Sequence, residues 1–234
     1  MSETPFIRIH NLKKHFEMGG TTVRALDGVD LEIPAGSFTV VMGPSGSGKS
    51  TLLYLLGGLD RPSDGKIEVN GQRLDAMDEN QLALFRRKTV GFIFQSFNLI
   101  QSMTAQQNVA FPMQFAGVAP KKRDSRALEL LERVGLADRS HHKPNELSGG
   151  QQQRVAIARS LVNEPALILA DEPTGNLDSA SGGSVMQVLS ELHKAGRTVL
   201  VVTHDRRMAQ FASQKIFILD GKLVSEKEYR NANL

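Results

Sequence analysis

Apolar and polar residues alternate at the two ends of this chain and follow a helical rhythm in its middle. Phe6-Ile7-Arg8-Ile9 and then Val29, Leu31 and Ile33 keep the two-residue period of half-buried strands, closed by the turn Pro34-Ala35-Gly36. Phe38–Met42 is a nearly continuous apolar strand that runs into a glycine-rich loop and a helix from about Lys49 to Leu56. Lys66–Val69 ends on the tight-turn pair Asn70-Gly71, and Val90–Phe94 is another apolar strand. From about Thr104 to Asn163 the pattern turns helical, with Ala127, Leu128, Leu130, Leu131 and Val134 on one face. Strands return at Ala166–Ala170 and Thr198–Thr203, separated by a helix from about Ser181 to Lys194. A helix near Arg206–Ala212 and a hairpin around Asp220-Gly221 follow. Strands alternating with helices predict an α/β fold, a mostly parallel sheet covered on both faces. One domain is expected over 1–234: an α/β core of 1–95 and 164–234, interrupted by a helical subdomain at 96–163.

Composition narrows the function classes. A length of 234 residues is enough for a single α/β domain with a subdomain. The net charge of +3 is too small to argue for nucleic acid, although it suits an anionic nucleotide. Without cysteine there are no disulfides and no thiolate metal sites. Met1-Ser2-Glu3-Thr4-Pro5 lacks the basic and apolar regions of a secretory leader. No run reaches the roughly 18 apolar residues of a membrane span. The expected location is therefore cytoplasmic, peripheral to the membrane only through a partner.

Gly43-Pro44-Ser45-Gly46-Ser47-Gly48-Lys49-Ser50, followed by Thr51, is a P-loop in its required strand–loop–helix setting. Its glycines let successive backbone N–H groups wrap a triphosphate, Lys49 reaches the outer phosphates, and the Ser50 hydroxyl can ligate Mg²⁺. A second element closes the strand Ala166–Ala170 with the carboxylates Asp171 and Glu172 before Pro173. Neighbours on an extended chain point to opposite sides, so the pair can divide the work. Asp171 would hold Mg²⁺, and Glu172 would act as general base on the attacking water. Gln95 and His204 also follow apolar strands directly. In an open parallel sheet such strand ends share the edge where ligands bind. Gln95 reads as a sensor of Mg²⁺ and the attacking water, His204 as a γ-phosphate contact.

Leu147-Ser148-Gly149-Gly150-Gln151 opens a helix. Ser148 stands at the N-cap, with Gln151 three residues on as in a capping box. Two glycines in a first helical turn each cost roughly 0.5–1 kcal/mol relative to Ala. They leave N–H groups bare to an anion where the helix dipole also favours one.

These elements, in this order, resemble the nucleotide-binding subunit of ABC transporters over about residues 6–226. The resemblance rests on the P-loop, Gln95, the Leu147–Gln151 signature, Asp171-Glu172, Asn176-Leu177-Asp178 and His204. It implies a P-loop NTPase of ABC type with an N-terminal antiparallel β part and an inserted helical subdomain that carries the signature. It also implies an ATPase using ATP and Mg²⁺, a head-to-tail dimer with a second copy, and a membrane permease as partner. In such a dimer Ser148, Gly149, Gly150 and Gln151 meet the ATP on the other subunit's P-loop, and Asp178 joins the nucleotide-binding set. Phe16 matches the position that stacks on adenine, and it also reads as a core residue. Pro173-Thr174-Gly175-Asn176-Leu177-Asp178, Ala170, and Phe92–Ile100 are similar to the macrolide-export and lipoprotein-releasing group and to a related cell-division ATPase.

Other features stay open. Phe97, Leu99, Ile100 and Met103 read either as packing within the helical insertion or as a groove for a helix of a membrane partner. Arg86-Arg87 and Lys121-Lys122-Arg123 read as solvated surface. Repair and chromosome ATPases of ABC type carry a long coiled coil between P-loop and signature, and no sustained heptads occur here. A GTPase would carry an Asn-Lys-x-Asp motif, which is absent. A module that binds ATP without hydrolysing it would not need both Glu172 and His204. Nucleotide-dependent signalling between proteins remains the alternative to transport.

Overall fold

The computed structural model describes residues 5–232. The chain opens with β1 (Ile7–Met18) and β2 (Thr21–Ile33), a long antiparallel hairpin. Next come β3 (Phe38–Met42), α1 (Lys49–Leu56), β4 (Asp64–Val69), β5 (Gln72–Arg73), α2 (Glu79–Thr89) and β6 (Val90–Ile93). The segment from β6 to the next strand is helical: α3 (Ala105–Ala110), α4 (Pro112–Phe115), α5 (Pro120–Arg133) and α6 (Gly149–Leu161). The chain finishes with β7 (Leu167–Asp171), α7 (Ser179–Lys194), β8 (Thr198–Thr203), β9 (Gln214–Leu219), β10 (Lys222–Val224) and α8 (Glu226–Asn231).

Two sheets form. One is antiparallel, in the order β2-β1-β4-β5, and the other runs β10-β9-β3-β8-β7-β6. In the second sheet β9, β3, β8, β7 and β6 are parallel and only the edge strand β10 reverses. Every residue of β3, β7 and β8 is buried, as expected for strands covered on both faces. Their side chains split by parity. Val40, Ile168, Ala170 and Val201 face one core together with α3, α5, α6 and α7. Val41, Leu167, Leu169, Leu200 and Val202 face the other, under Leu52, Leu53, Leu55 and Leu56 of α1. Burying one such Leu stabilises by roughly 1.5–3 kcal/mol, so these cores hold the sheet edge rigid.

The expected α/β architecture is thus present, with local differences. β6 stops at Ile93, one residue short of expectation. α7 starts at Ser179 because the Asp178 carboxylate accepts from the Ala180 and Ser181 N–H groups. The stretch expected as a helix at Arg206–Ala212 is a 3₁₀ helix, Arg206–Phe211. Leu99 packs into the core at 8% exposure with Phe97 against it, which settles that part of the 97–103 cluster as packing.

Candidate nucleotide site

The strand order places β3, β8, β7 and β6 side by side and parallel, so their C-terminal ends share one edge. From that edge project the 43–50 loop, His204, Asp171-Glu172 and Gln95. They meet at an open cleft of about 590 Å³ whose walls include Ser45, Lys49, Ser50, Gln95, Glu172 and His204.

The loop is shaped by close approach. A Cβ on Gly48, whose φ is +103°, would lie 2.2 Å from the Ala25 carbonyl oxygen, so β2 and the loop touch only because that position is glycine. Lys49 donates to the Gly43 and Pro44 carbonyls at 2.8 Å each. Burial lowers its ammonium pKa, opposed by the charges of Glu172 and Asp171. The buried Ser47 hydroxyl has no hydrogen-bond partner among the described residues, a polar atom left for a ligand.

Asp171 closes β7 at 8% exposure. Its Oδ1 accepts from Ser50 Oγ at 2.9 Å and its Oδ2 from Tyr54 Oη at 2.8 Å. The Tyr54 phenol is pushed up to about 12, first by burial and then by that carboxylate. Glu172 departs from the expected alternation, for its φ is +44° and the chain turns there instead of extending. The turn lets its carboxylate reach β8: Oε2 accepts from Thr203 Oγ1 at 2.9 Å, and Oε1 accepts from the His204 N–H at 3.1 Å. His204 Nδ1 lies 3.0 Å from the same oxygen. Gln95 Nε2 donates to Asn176 Oδ1 at 3.2 Å, while Asn176 Nδ2 donates back to the Gln95 carbonyl at 3.0 Å.

Other expected positions lie elsewhere. Ser148, Gly149, Gly150, Gln151 and Asp178 do not line this cleft. Ser148 and Gln151 form the capping box of α6, with Gln151 N–H to Ser148 Oγ at 3.3 Å and Ser148 N–H to Gln151 Oε1 at 2.9 Å. Gly150 has a reason the sequence hid: a Cβ there would fall 2.7 Å from Ser181 Oγ of α7. At Gly149 the nearest contact would be an ordinary 3.4 Å. Phe16 is 38% exposed, so it is not a core residue. It stands opposite Val23, which lines the cleft.

Sequence reasoning missed the walls given by Val23, Arg24, Ala25 and Asp220, and it missed Tyr54. The position of Tyr54 one turn after Ser50 was the available signal. Arg86-Arg87 makes contacts that its reading as solvated surface did not supply. Both guanidiniums donate to carbonyls, Arg86 to Gly58 and Arg87 to Phe115, while Arg87 stays exposed and Arg86 half-buried. With Arg159 they edge a separate groove of about 860 Å³, walled by Leu84, Phe92, Phe94 and Phe115 among others.

A glycine-rich phosphate loop, a Ser–Asp oxygen pair and a Glu–His pair on one parallel-sheet edge define a P-loop nucleotide hydrolase. The chain belongs to the ABC transporter family, whose model matches residues 26–175. It is 49% identical over 228 residues to a macrolide export ATP-binding/permease protein MacB of Hyphomonas neptunium, covering 97% of this chain and 35% of that protein. It is 50% identical over 210 residues to an uncharacterized ABC transporter ATP-binding protein of Thermotoga maritima, covering 90% of each. The chain therefore spans about a third of the MacB relatives it matches. Among solved structures, the dimeric post-hydrolysis state of the ATP-binding cassette MJ0796 bound to ADP and Pi superposes with a TM-score of 0.88 at 44% identity, covering 94% of this chain and 97% of that one. The chain is an ATPase cassette that uses ATP and Mg²⁺.

The donor set fits that ion. Ser50 and Asp171 offer hard oxygens in mutual contact, with the Gln95 amide on the cleft wall. Mg²⁺ is typically held by one or two protein oxygens, with substrate phosphates and water filling the rest.

Proposed function

We propose that this chain is the ATP-hydrolysing subunit of an exporter or lipoprotein-releasing transporter, working as a head-to-tail dimer on a membrane permease. The observation that carries the reading is the Glu172–His204 pair set opposite Lys49 and Ser50 across one cleft. The backbone of Gly43–Ser50, with Ser47, Lys49 and Thr51, binds the triphosphate. Glu172 takes a proton from the attacking water, and the Thr203 hydroxyl and the His204 backbone N–H, donating one to each oxygen, hold the carboxylate in place. His204 then contacts the γ-phosphate. Ser50, Asp171 and Gln95 would hold Mg²⁺, which would supply positive charge against the phosphates. Phe16, beside Val23, stacks on adenine.

The signature lies away from this cleft, at the capped N-terminus of α6, which supports its serving the ATP of a second copy. Asp178 sits on the same side, at the cap of α7 next to Ser181. The apolar groove with Arg86, Arg87 and Arg159 receives a helix of the permease, and its contact with the Phe97-Asn98 backbone ties it to Gln95. This makes the chain a peripheral protein on the cytoplasmic face, with its core at 1–95 and 164–234 and its signature subdomain at 96–163.

The absence of cysteine offers a direct test of the dimer. Chains carrying Ser45→Cys and Ser148→Cys separately, mixed with ATP and a short bifunctional thiol reagent, should give a mixed crosslinked dimer. A crosslink that forms only within a doubly substituted monomer would reject the arrangement. For the permease, Leu84→Asp with Phe115→Asp should abolish saturable binding to membrane vesicles from the source cell while ATP hydrolysis by the free chain persists. Unchanged binding would reject the groove.

A further inference from the structure

The P-loop helix offers Asp171 two donors, one turn apart. Ser50 and Tyr54 stand at i and i+4 on α1, hence on the same helix face. One hydroxyl meets each carboxylate oxygen, Ser50 Oγ at 2.9 Å on Oδ1 and Tyr54 Oη at 2.8 Å on Oδ2. A carboxylate's terminal torsion is broad and roughly two-fold, so a single donor would leave its plane free to turn. Two donors from one rigid helix fix it. The helix itself is held by Leu52, Leu53, Leu55 and Leu56, all buried in the core beneath the sheet.

We infer that Tyr54 is a positioning residue for the magnesium site, locking the plane of the Asp171 carboxylate so that Oδ1 stays directed at Ser50. The inference rests on the reading of Asp171 and Ser50 as the Mg²⁺-holding pair. Its physical content is an asymmetry. Ser50 is called on by both the carboxylate and the metal, whereas the Tyr54 hydroxyl, among the described residues, bonds to the carboxylate alone. When Ser50 turns its lone pairs to the ion, Tyr54 remains the group that holds Asp171 from the far side. Without it, Oδ2 becomes a buried acceptor with no donor, and the carboxylate gains freedom to rotate away.

Tyr54→Phe removes one oxygen and keeps the ring. AMP-PNP binding followed by calorimetry over a Mg²⁺ series should show the half-point in Mg²⁺ raised about tenfold, the scale of one charge-assisted hydrogen bond. Nucleotide affinity in EDTA and the melting temperature should stay near those of the parent. A half-point identical to the parent's would overturn the proposal, as would a parallel loss of metal-free affinity, which marks a merely structural role. If the parent itself showed no Mg²⁺ dependence, the reading of the metal site would fall too.

A second measurement needs no change at position 54. The chain has two tyrosines and no tryptophan, and the other tyrosine, Tyr229, is buried against Phe217 and does not line the cleft. In Tyr229→Phe the emission of Tyr54 is observed alone, and a phenol bonded to a carboxylate emits weakly. Adding Mg²⁺ to the AMP-PNP complex should change that emission while leaving it hydrogen-bond-quenched. Bright emission typical of a free phenol, before or after Mg²⁺, would overturn the proposal.

Discussion

Glu172 and His204 are bound to one another twice. The glutamate Oε1 lies 3.1 Å from the His204 backbone nitrogen and 3.0 Å from its Nδ1. Thr203 Oγ1 holds the other oxygen at 2.9 Å. A residue with φ of +44° is thus kept in place by contacts from the adjacent strand, and the imidazole edge is fixed with it. Glu172→Gln keeps the shape but removes the base, so steady-state ATP hydrolysis should fall roughly 10²–10⁴-fold while binding survives. An ATP-bound dimer should then accumulate on size-exclusion chromatography. Hydrolysis at the parent rate would remove Glu172 from its role.

The two signature glycines should separate by experiment. Gly150→Ala drives a methyl to 2.7 Å from Ser181 Oγ and 2.8 Å from its Cβ, so the melting temperature should drop. Gly149→Ala meets nothing closer than 3.4 Å and gains roughly 0.5–1 kcal/mol of helix propensity, so stability should hold or rise. Turnover should nonetheless decline in Gly149→Ala and in Ser148→Ala, with monomer ATP affinity unchanged. A collapse of monomer affinity in either variant would assign the signature to its own subunit's nucleotide.

Arg159 of α6 donates to the Phe97 and Asn98 carbonyls, the latter two in the left-handed region with φ of +60° and +51°. Burial lowers the pKa of this guanidinium, yet its hydrogen bonds hold a strained turn next to Gln95. Arg159→Ala should cost about 1.5–3 kcal/mol, the range for hydrogen bonds to a charged group. For a chain of this size that is a fall of roughly 3–12 °C in Tm. Calorimetry on the free chain measures it, and a shift under about 1 °C, against a lower bound of about 3 °C, would show that the turn holds itself.

Asp75 should give a pH signature. Arg73 beside it, helped by the Ile67 N–H, holds its carboxyl below the ordinary 3.8, so the fold favours the ionised form. A folded pKa below the unfolded one contributes stability above the unfolded value, which is lost as pH falls through the folded value. Asp75→Asn should therefore melt below the parent at neutral pH, and the gap should close as pH drops below 3.8. A gap independent of pH would point to packing rather than charge.

Much of the site could be read along the chain. The P-loop, the acids ending β7, and the polar residues after β6 and β8 are each announced by an apolar strand that stops. The capping box at Ser148 is equally local, written within four residues. Phe16 and Arg86-Arg87 show the limit: residue type left Phe16 open between core and adenine stacking until the fold exposed it, and it gave no sign that the two surface arginines reach distant carbonyls.

Periodicity and turn chemistry are carried by residues a few positions apart, so strands, helices, caps and the phosphate loop follow from the amino-acid order alone. The order β3-β8-β7-β6 is different in kind. It brings Ser50 to Asp171, Glu172 to His204, Gly150 to Ser181 and Arg159 to Asn98, pairs separated by tens of residues or more. No local pattern encodes those distances. They arise because apolar strands must be buried on both faces, and the packing that achieves this decides which side chains meet at the sheet edge.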